Sequence, residues 1–254
     1  MNSSISWTKA YVPDLDCTAQ EYMDAMTLSG TKVEGYTELD KNLDKIIVGK
    51  INKIEKHPDA DKLVICQVQI DEDGQEVQIV TGAANVKEGD KVPVVLDGGH
   101  VASSHKDGES EKGFKIKKGK LRGVDSYGMM CSIEELGSNC DMYPDAAEDG
   151  IYILSDNPEY ADAPIGSDAV ELLGLHDVVF EYEVTSNRVD CFGQIGIARE
   201  VAATFRKDLV LPEVAQTGNG EDVNDYVSVD VQAPELCSRY VARVVKNIKI
   251  APSP

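Results

Sequence analysis

Between positions 106 and 122 the chain carries Lys106, Lys112, Lys115, Lys117, Lys118, Lys120 and Arg122 against Asp107, Glu109 and Glu111, seven cations to three anions. Phe114 stands among the lysines, and an aromatic ring beside ammonium groups suits single-stranded nucleic acid, the ring stacking on a base while the cations meet phosphates. By residue type alone the same run reads first as a solvated loop, the usual fate of a charge run. His57 with Asp59 and Asp61 offers one imidazole and two carboxylates without the ligand spacing of a zinc or calcium loop. Pro58, Asp59 and Ala60 more simply make a turn in which Asp59 or Asp61 bonds backbone amides. Ser126 lies in Gly123-Val124-Asp125-Ser126-Tyr127-Gly128, but Val124 occupies the place where a nucleophile elbow needs glycine. His100 and His105 fall in a Gly/Ser/Lys loop, and no glycine-rich phosphate cradle occurs. Ser126 and Ser132 therefore read as residues that cap or bond backbone, and no catalytic residue, bound cofactor or metal is expected in this chain.

The elements that must position these residues can be read from the hydrophobic pattern. Ile46-Ile47-Val48 leads to Ile51 and Ile54; Leu63-Val64-Ile65-Cys66, Val77-Gln78-Ile79-Val80 and Val92-Pro93-Val94-Val95-Leu96 come next, separated by turn formers. About five strands with no long helix among them predict a small closed or nearly closed antiparallel barrel, for which an oligonucleotide-binding barrel is the commonest five-strand solution. Ahead of it, Thr18-Ala19-Gln20-Glu21 reads as a capping box opening a helix through Tyr22, Met23 and Met26 that stops at Gly30. Behind it the pattern predicts a strand at Ile151-Tyr152-Ile153-Leu154, a short helix from Ser167 to Leu173, a strand from Val178 to Val184, and a helix after Asp190 with Cys191, Ile195, Ala198, Ala202 and Phe205 on one side. The fold class expected is α+β. A five-stranded barrel over 40–150 is inserted into a discontinuous α/β domain made of 1–39 plus 151–206. Residues 207–254 are a linker and the start of a further domain, with Cys237 to Ile250 read as strand.

Several blocks carry a resemblance. His57-Pro58-Asp59-Ala60-Asp61-Lys62-Leu63, Ile79-Val80-Thr81-Gly82-Ala83-Ala84-Asn85, Gly89-Asp90-Lys91-Val92-Pro93-Val94, Lys120-Leu121-Arg122-Gly123 and Ser126-Tyr127-Gly128-Met129-Met130-Cys131-Ser132 recur in the order found in tRNA-binding domains of synthetases and tRNA-binding cofactors. The flanks, Ser6-Trp7-Thr8-Lys9-Ala10-Tyr11-Val12 with Leu28 to Gly35, and Thr185 to Cys191 with Gly196 to Ala203, resemble the beta subunit of bacterial phenylalanyl-tRNA synthetase. Val189 stands where the family usually has proline, and Ala102 to Lys112 looks like an insertion ahead of the basic block.

The resemblance implies an N-terminal, non-catalytic piece of a longer subunit. Its parent would attach phenylalanine to its tRNA using ATP and magnesium, with aminoacylation in the alpha subunit and editing in later domains. It implies phenylalanine tRNA, the alpha subunit and the remainder of the beta subunit as partners, and RNA contact through Phe114, Lys115, Lys117, Lys118, Lys120 and Arg122. Asn187, Arg188, Asp190 and Arg199 read equally as helix caps, with Asp190 at the helix start, or as a docking surface for those partners. A free-standing RNA-binding or assembly factor on the same barrel is the alternative; a bare barrel with basic tails would suit that reading, whereas the resembling flanks do not.

A formal net charge of −20 over 254 residues argues against a general nucleic-acid binder, because phosphate contacts supply most non-specific affinity. Exposed charges are screened beyond about 8 Å at physiological ionic strength, so local sign still decides contact. RNA contact is therefore expected on one face and weak. Six cysteines without a Cys-x-x-Cys pair, no secretory signal and no apolar run near membrane-span length predict reduced thiols in a cytoplasmic protein.

Overall fold

A computed structural model describes residues 1–104, 108–213 and 218–251, with the side chains of 103, 104 and 108–112 left out of the description. Two compact units divide it, Met1–Val210 and Leu211–Pro254. The first unit is mixed α/β and mostly sheet. In chain order it contains β1 (Asn2–Ser4), α1 (Ile5–Lys9), α2 (Ala19–Ser29), β2 (Val33–Glu38), β3 (Asp44–Lys56), β4 (Val64–Gln69), β5 (Glu76–Thr81), β6 (Lys91–Ser104), β7 (Gly108–Lys115), β8 (Gly119–Leu121), β9 (Val124–Ser126), β10 (Gly128–Met130), α3 (Ala169–Leu172), β11 (Val178–Tyr182) and α4 (Gln194–Phe205).

α2 begins where its cap dictates: Thr18 Oγ1 accepts the Glu21 N–H at 3.2 Å while the Glu21 carboxylate accepts the Thr18 N–H at 2.8 Å. It ends at Gly30, at φ +105°. With α4 it covers the antiparallel sheet β1-β11-β2, and the layer between them is a core of Val12, Tyr22, Met26, Val33, Phe180, Tyr182, Ile197 and Val201. Tyr22 stacks on Phe180 with centroids 4.2 Å apart, and its hydroxyl bonds that of Tyr182 at 2.6 Å. Burial pushes the Tyr22 phenol up to about 12 and raises that of Tyr182 as well.

The second sheet runs β10-β6-β3-β4-β5, with β7 also paired to β6. Six strands therefore stand where the periodicity predicts about five, because the chain after the bulge in β6 returns along the same strand as β7. Among the described residues no ladder joins β5 to β10. The two ends are instead tied by the Tyr127 N–H on Gln78 O (2.9 Å) and the Val80 N–H on Ser126 Oγ (3.1 Å). Inside lie Ile51, Cys66, Val68, Ile79, Val92, Val94 and Met130.

Three sequence expectations are corrected. Ile151 to Ile153 is not a strand: Ile151 is held by both polar atoms of the Asn85 amide (2.8 and 3.1 Å) and the Tyr152 N–H by Cys131 O (3.0 Å), so side-chain and single bonds replace a ladder. Ile151 and Ile153 pack into the interior of the second sheet, while Tyr152, Leu154, Ala169, Val170 and Leu173 join Ile46, Val48, Val95 and Val101. In the last helix, Gly193 rather than Asp190 stands at the N-cap, and Cys191 sits in a preceding 3-10 turn. The buried face of α4 is Gln194, Ile197, Ala198, Val201 and Ala202, because Gln194 bonds Ser3 and Thr8 and turns Ile195 outward. In the second unit no residue from Cys237 to Ile250 is in a strand; Lys246 there bonds Glu221 and Tyr226.

Candidate nucleic-acid interface

The basic block is built into an arm on the second sheet. β3 and β6 lose register between Asp44 and Ile46, where β6 carries the extra residues around Asp97, Gly98 and Gly99. Such a bulge bends the strand and re-aims the residues beyond it. Gly99 is required there, since a side chain would meet Asp44 O and approach Leu96 O to 3.1 Å. The bulged backbone then grips the returning chain. The Gly98 N–H donates to Ile116 O and the Ile116 N–H to Gly99 O, both 2.8 Å, and the Asp97 carboxylate accepts the Lys118 N–H at 2.7 Å.

Past Lys118 the chain makes the β8–β9 hairpin, in the register Gly119↔Ser126, Lys120↔Asp125, Leu121↔Val124. That register leaves Arg122 and Gly123 as a two-residue loop, at φ +47° and +90°. Two positive φ values mark a type I′ turn, the form that matches strand twist and prefers Asn-Gly. Arginine in the left-handed region is uncommon and strained. The hairpin base is fastened by Gln78 Nε2 donating to Asp125 O (2.7 Å) and by Ser126 Oγ, which accepts from Val80 and donates to Gly128 O at 3.1 Å.

Lys115, Lys117, Lys118, Lys120 and Arg122 are all exposed on this arm. Lys120 has Asp125 at 3.7 Å, a pairing that exposed side chains hold only weakly. Phe114 is only half-buried and packs against the core beneath, opposite Val101, so much of its ring is committed to the fold rather than offered to a base. Tyr127, 45% exposed, is an aromatic surface that the sequence reading did not single out. With Gln67, Ile70, Glu76, Val77, Gln78, Leu96 and Asp97 it lines an open cavity of about 610 Å³. Lys45 was likewise missed. It lies at the register shift, at φ +55°, with its ammonium 3.4 Å from where a Gly98 side chain would begin, and only the paired geometry brings it to the arm. Lys106, Asp107 and His105 lie outside the described residues, as do the side chains of Glu109, Glu111 and Lys112.

Among the remaining candidates some make internal bonds and others are exposed. Ser132 and Glu135 bond each other's backbone amides at 2.8 and 3.3 Å. His57 is 6% exposed and its Nδ1 accepts the Asp59 N–H at 3.1 Å, the bond that the turn was expected to take from an aspartate. Among the described residues no three His, Cys, Asp or Glu side chains converge as cation ligands. Arg188 bonds Asp190 at 3.0 Å and Glu200 at 2.8 Å, tying the 3-10 turn to α4, and its hydrogen bonds hold the Asp190 carboxyl down at about 2. Asn187 and Arg199 are exposed. The six cysteines are free thiols, and burial raises those of Cys66 and Cys131. No described helix is long and apolar enough to cross a membrane.

The first unit is a mixed α/β, mostly sheet module with an exposed cationic arm, and its residues 46–151 match the putative tRNA binding domain family. Over nearly its whole length the chain is similar to beta subunits of phenylalanine–tRNA ligase. It is 43% identical over 251 residues to that of Geobacillus kaustophilus, covering 99% of this chain and 29% of that protein. It is 44% identical over 255 residues to that of Clostridium tetani, covering 100% of this chain and 30% of that protein. The chain thus spans about 30% of the length of these relatives.

Proposed function

We propose that this chain is the tRNA-docking and structural part of a phenylalanine–tRNA ligase beta subunit, with aminoacylation carried by an alpha subunit that it does not contain. The observation that carries the reading is the arm: Lys115, Lys117, Lys118, Lys120 and Arg122 are exposed along a segment fastened at Gly98, Gly99, Asp97 and Ser126, inside the stretch that matches the tRNA-binding family. A fixed cation row meets phosphates without first having to be ordered, so less affinity is lost to entropy. Phe114 supports the row from below, and Lys45 extends it.

The six-stranded sheet with its tied ends is read as an oligonucleotide-binding type of barrel, in which closure comes from Tyr127, Ser126 and Gln78 rather than from a ladder. It is inserted into the α/β unit of β1, β11, β2, α2 and α4, and the segment after Ile151 joins the two. Similarity that includes Trp7 and the α4 region favours the beta subunit over a free-standing RNA-binding factor, which needs only the barrel. Phenylalanine tRNA, the alpha subunit and the remainder of the beta subunit are the partners of this reading, and its compartment is the cytoplasm. ATP and magnesium are assigned to the holoenzyme, away from this chain. The test is titration of labelled phenylalanine tRNA with the chain and its Lys117→Glu/Lys118→Glu variant at low salt: binding lost in the variant supports docking by the arm, and equal binding removes the arm from the interface.

A further inference from the structure

The His57-to-Leu63 block has no cation row of its own, and the structure joins it to the arm. The His57 ring is buried, and both of its nitrogens are engaged. Nδ1 accepts the Asp59 N–H at 3.1 Å, so it carries no proton. The ring proton therefore sits on Nε2, which donates to Leu121 O at 3.1 Å across 64 positions of chain. Leu121 is the last residue of β8, directly before the Arg122–Gly123 turn.

The fastenings at Asp97, Gln78 and Ser126 grip the arm at its base, whereas the bond from His57 reaches its tip. A hairpin of two three-residue strands is not stable by itself. Whatever fixes its tip therefore fixes the direction in which Lys120 and Arg122 project.

We infer that His57 is a positioning residue for RNA: its Nε2–H latches the tip of the basic hairpin to the turn after β3 and so presents Lys120 and Arg122 to phosphates. The inference rests on the RNA-docking reading above. It assigns the His-Pro-Asp-Ala-Asp-Lys-Leu block an indirect role, as an anchor whose second bond holds its own turn in shape.

The two bonds can be removed separately. In His57→Asn the Oδ1 atom falls where Nδ1 stood and still accepts from Asp59, but nothing reaches Leu121. In His57→Gln the Nε2 donor still reaches Leu121, while the acceptor for Asp59 is lost. Labelled phenylalanine tRNA is titrated at low salt with the full chain, each variant and the Lys120→Ala/Arg122→Ala double variant, alongside hydrogen exchange of amides 119–126 and a thermal melt as the folding control.

His57→Asn is expected to weaken binding about fivefold, the entropic cost of re-ordering the tip on the RNA, and to speed exchange in 119–126. His57→Gln is expected to stay within about twofold, and His57→Asn added to Lys120→Ala/Arg122→Ala to cost nothing further, since coupling vanishes when the positioned groups are gone. Equal losses in Asn and Gln variants of the same thermal stability, or a full loss persisting in the Lys120→Ala/Arg122→Ala background, would overturn the latch. If Lys120→Ala/Arg122→Ala itself leaves binding intact, the positioning role fails, and the Lys117→Glu/Lys118→Glu variant tells whether the RNA reading of the arm fails with it. Exchange at 119–126 then separates that outcome from a latch that does not form.

Discussion

Replacing Arg122 by asparagine separates what the arm costs the fold from what it contributes to RNA binding. Arg122 stands at φ +47° in a two-residue turn with Gly123 at +90°, the conformation for which Asn-Gly is the preferred pair. Moving a side chain other than asparagine or glycine into the left-handed region costs about 1 kcal/mol, and asparagine removes most of that without the extra unfolded-state freedom that glycine brings. For a unit of this size about 1 kcal/mol shifts the midpoint of thermal unfolding by about 2–4 °C, so Arg122→Asn should melt higher by roughly that amount. The same change removes one exposed cation. A phosphate contact contributes about 0.9 to the slope of log affinity against log salt, so losing one should weaken tRNA binding by about tenfold near 0.1 M salt, and the two proteins should converge near 1 M. Calorimetry and fluorescence anisotropy on the same preparations read the two effects. A lower melting temperature would refute the claim that the turn is strained. Unchanged affinity with an unchanged salt slope would refute the claim that Arg122 faces phosphate.

Charge reversal at Lys117 and Lys118 should flatten the salt slope by about two units, one per lost contact, and a parallel shift with unchanged slope would place the phosphates elsewhere. Gly99→Ala should destabilise the first unit by about 1–3 kcal/mol in urea unfolding, because the added carbon meets Asp44 O and Leu96 O at the bulge; since that bulge aims Asp97, tRNA binding should weaken too, and wild-type stability would show the close approach to be dispensable. Tyr22, pushed up to about 12 by burial, stays protonated in the fold while an unfolded phenol ionises near its ordinary 10. Stability is therefore fully present below about pH 10 and lost as pH rises toward about 12, and Tyr22→Phe should reduce that loss; a variant with an identical alkaline profile would show that the buried pair is not its source.

Legibility in the sequence tracked how local each signal was. The capping box at Thr18 and Glu21 and the stop at Gly30 use neighbours along one stretch of chain, and the structure contains both. Strands β3 to β6 were legible because alternation is also local. Ile151 to Leu154 has the composition of a strand and fails to be one because its partner is the Asn85 side chain, a pairing that no pattern of apolar residues encodes. Of the residues placed inward by spacing from Cys191, Cys191, Ala198 and Ala202 are buried and Phe205 packs against the same core, but Ile195 is exposed because Gln194, bonded to Thr8, takes the inward position at the start of the helix. The cations of the arm were visible as a run. Their fastening was not, since Asp97 and His57 meet Lys118 and Leu121 only after a bulge and a long return. Lys45 was missed for the same reason.

The full chain carries a net charge of −20 with the arm's exposed lysines included, and that balance sets the kind of binding the proposed docking would have. A uniformly basic surface attracts any phosphate chain in any orientation. On the proposed reading the net negative charge disfavours RNA elsewhere, and screening beyond about 8 Å would confine attraction to the arm itself. Docking of that kind would depend on holding a few cations in a fixed row, because a chain of net negative charge offers little positive field to compensate for a displaced one. Such dependence would make the bulge at Gly99, the strained turn at Arg122 and the bond from His57 to Leu121 parts of the proposed interface, although none of them adds a charge to the surface beyond Arg122 itself. Changes at Gly99 and His57 should therefore act on tRNA affinity through geometry, while changes at Lys117, Lys118 and Arg122 act through charge, and the salt slope distinguishes the two: geometric variants lose affinity with contacts impaired only in part, charge variants lose whole units of slope.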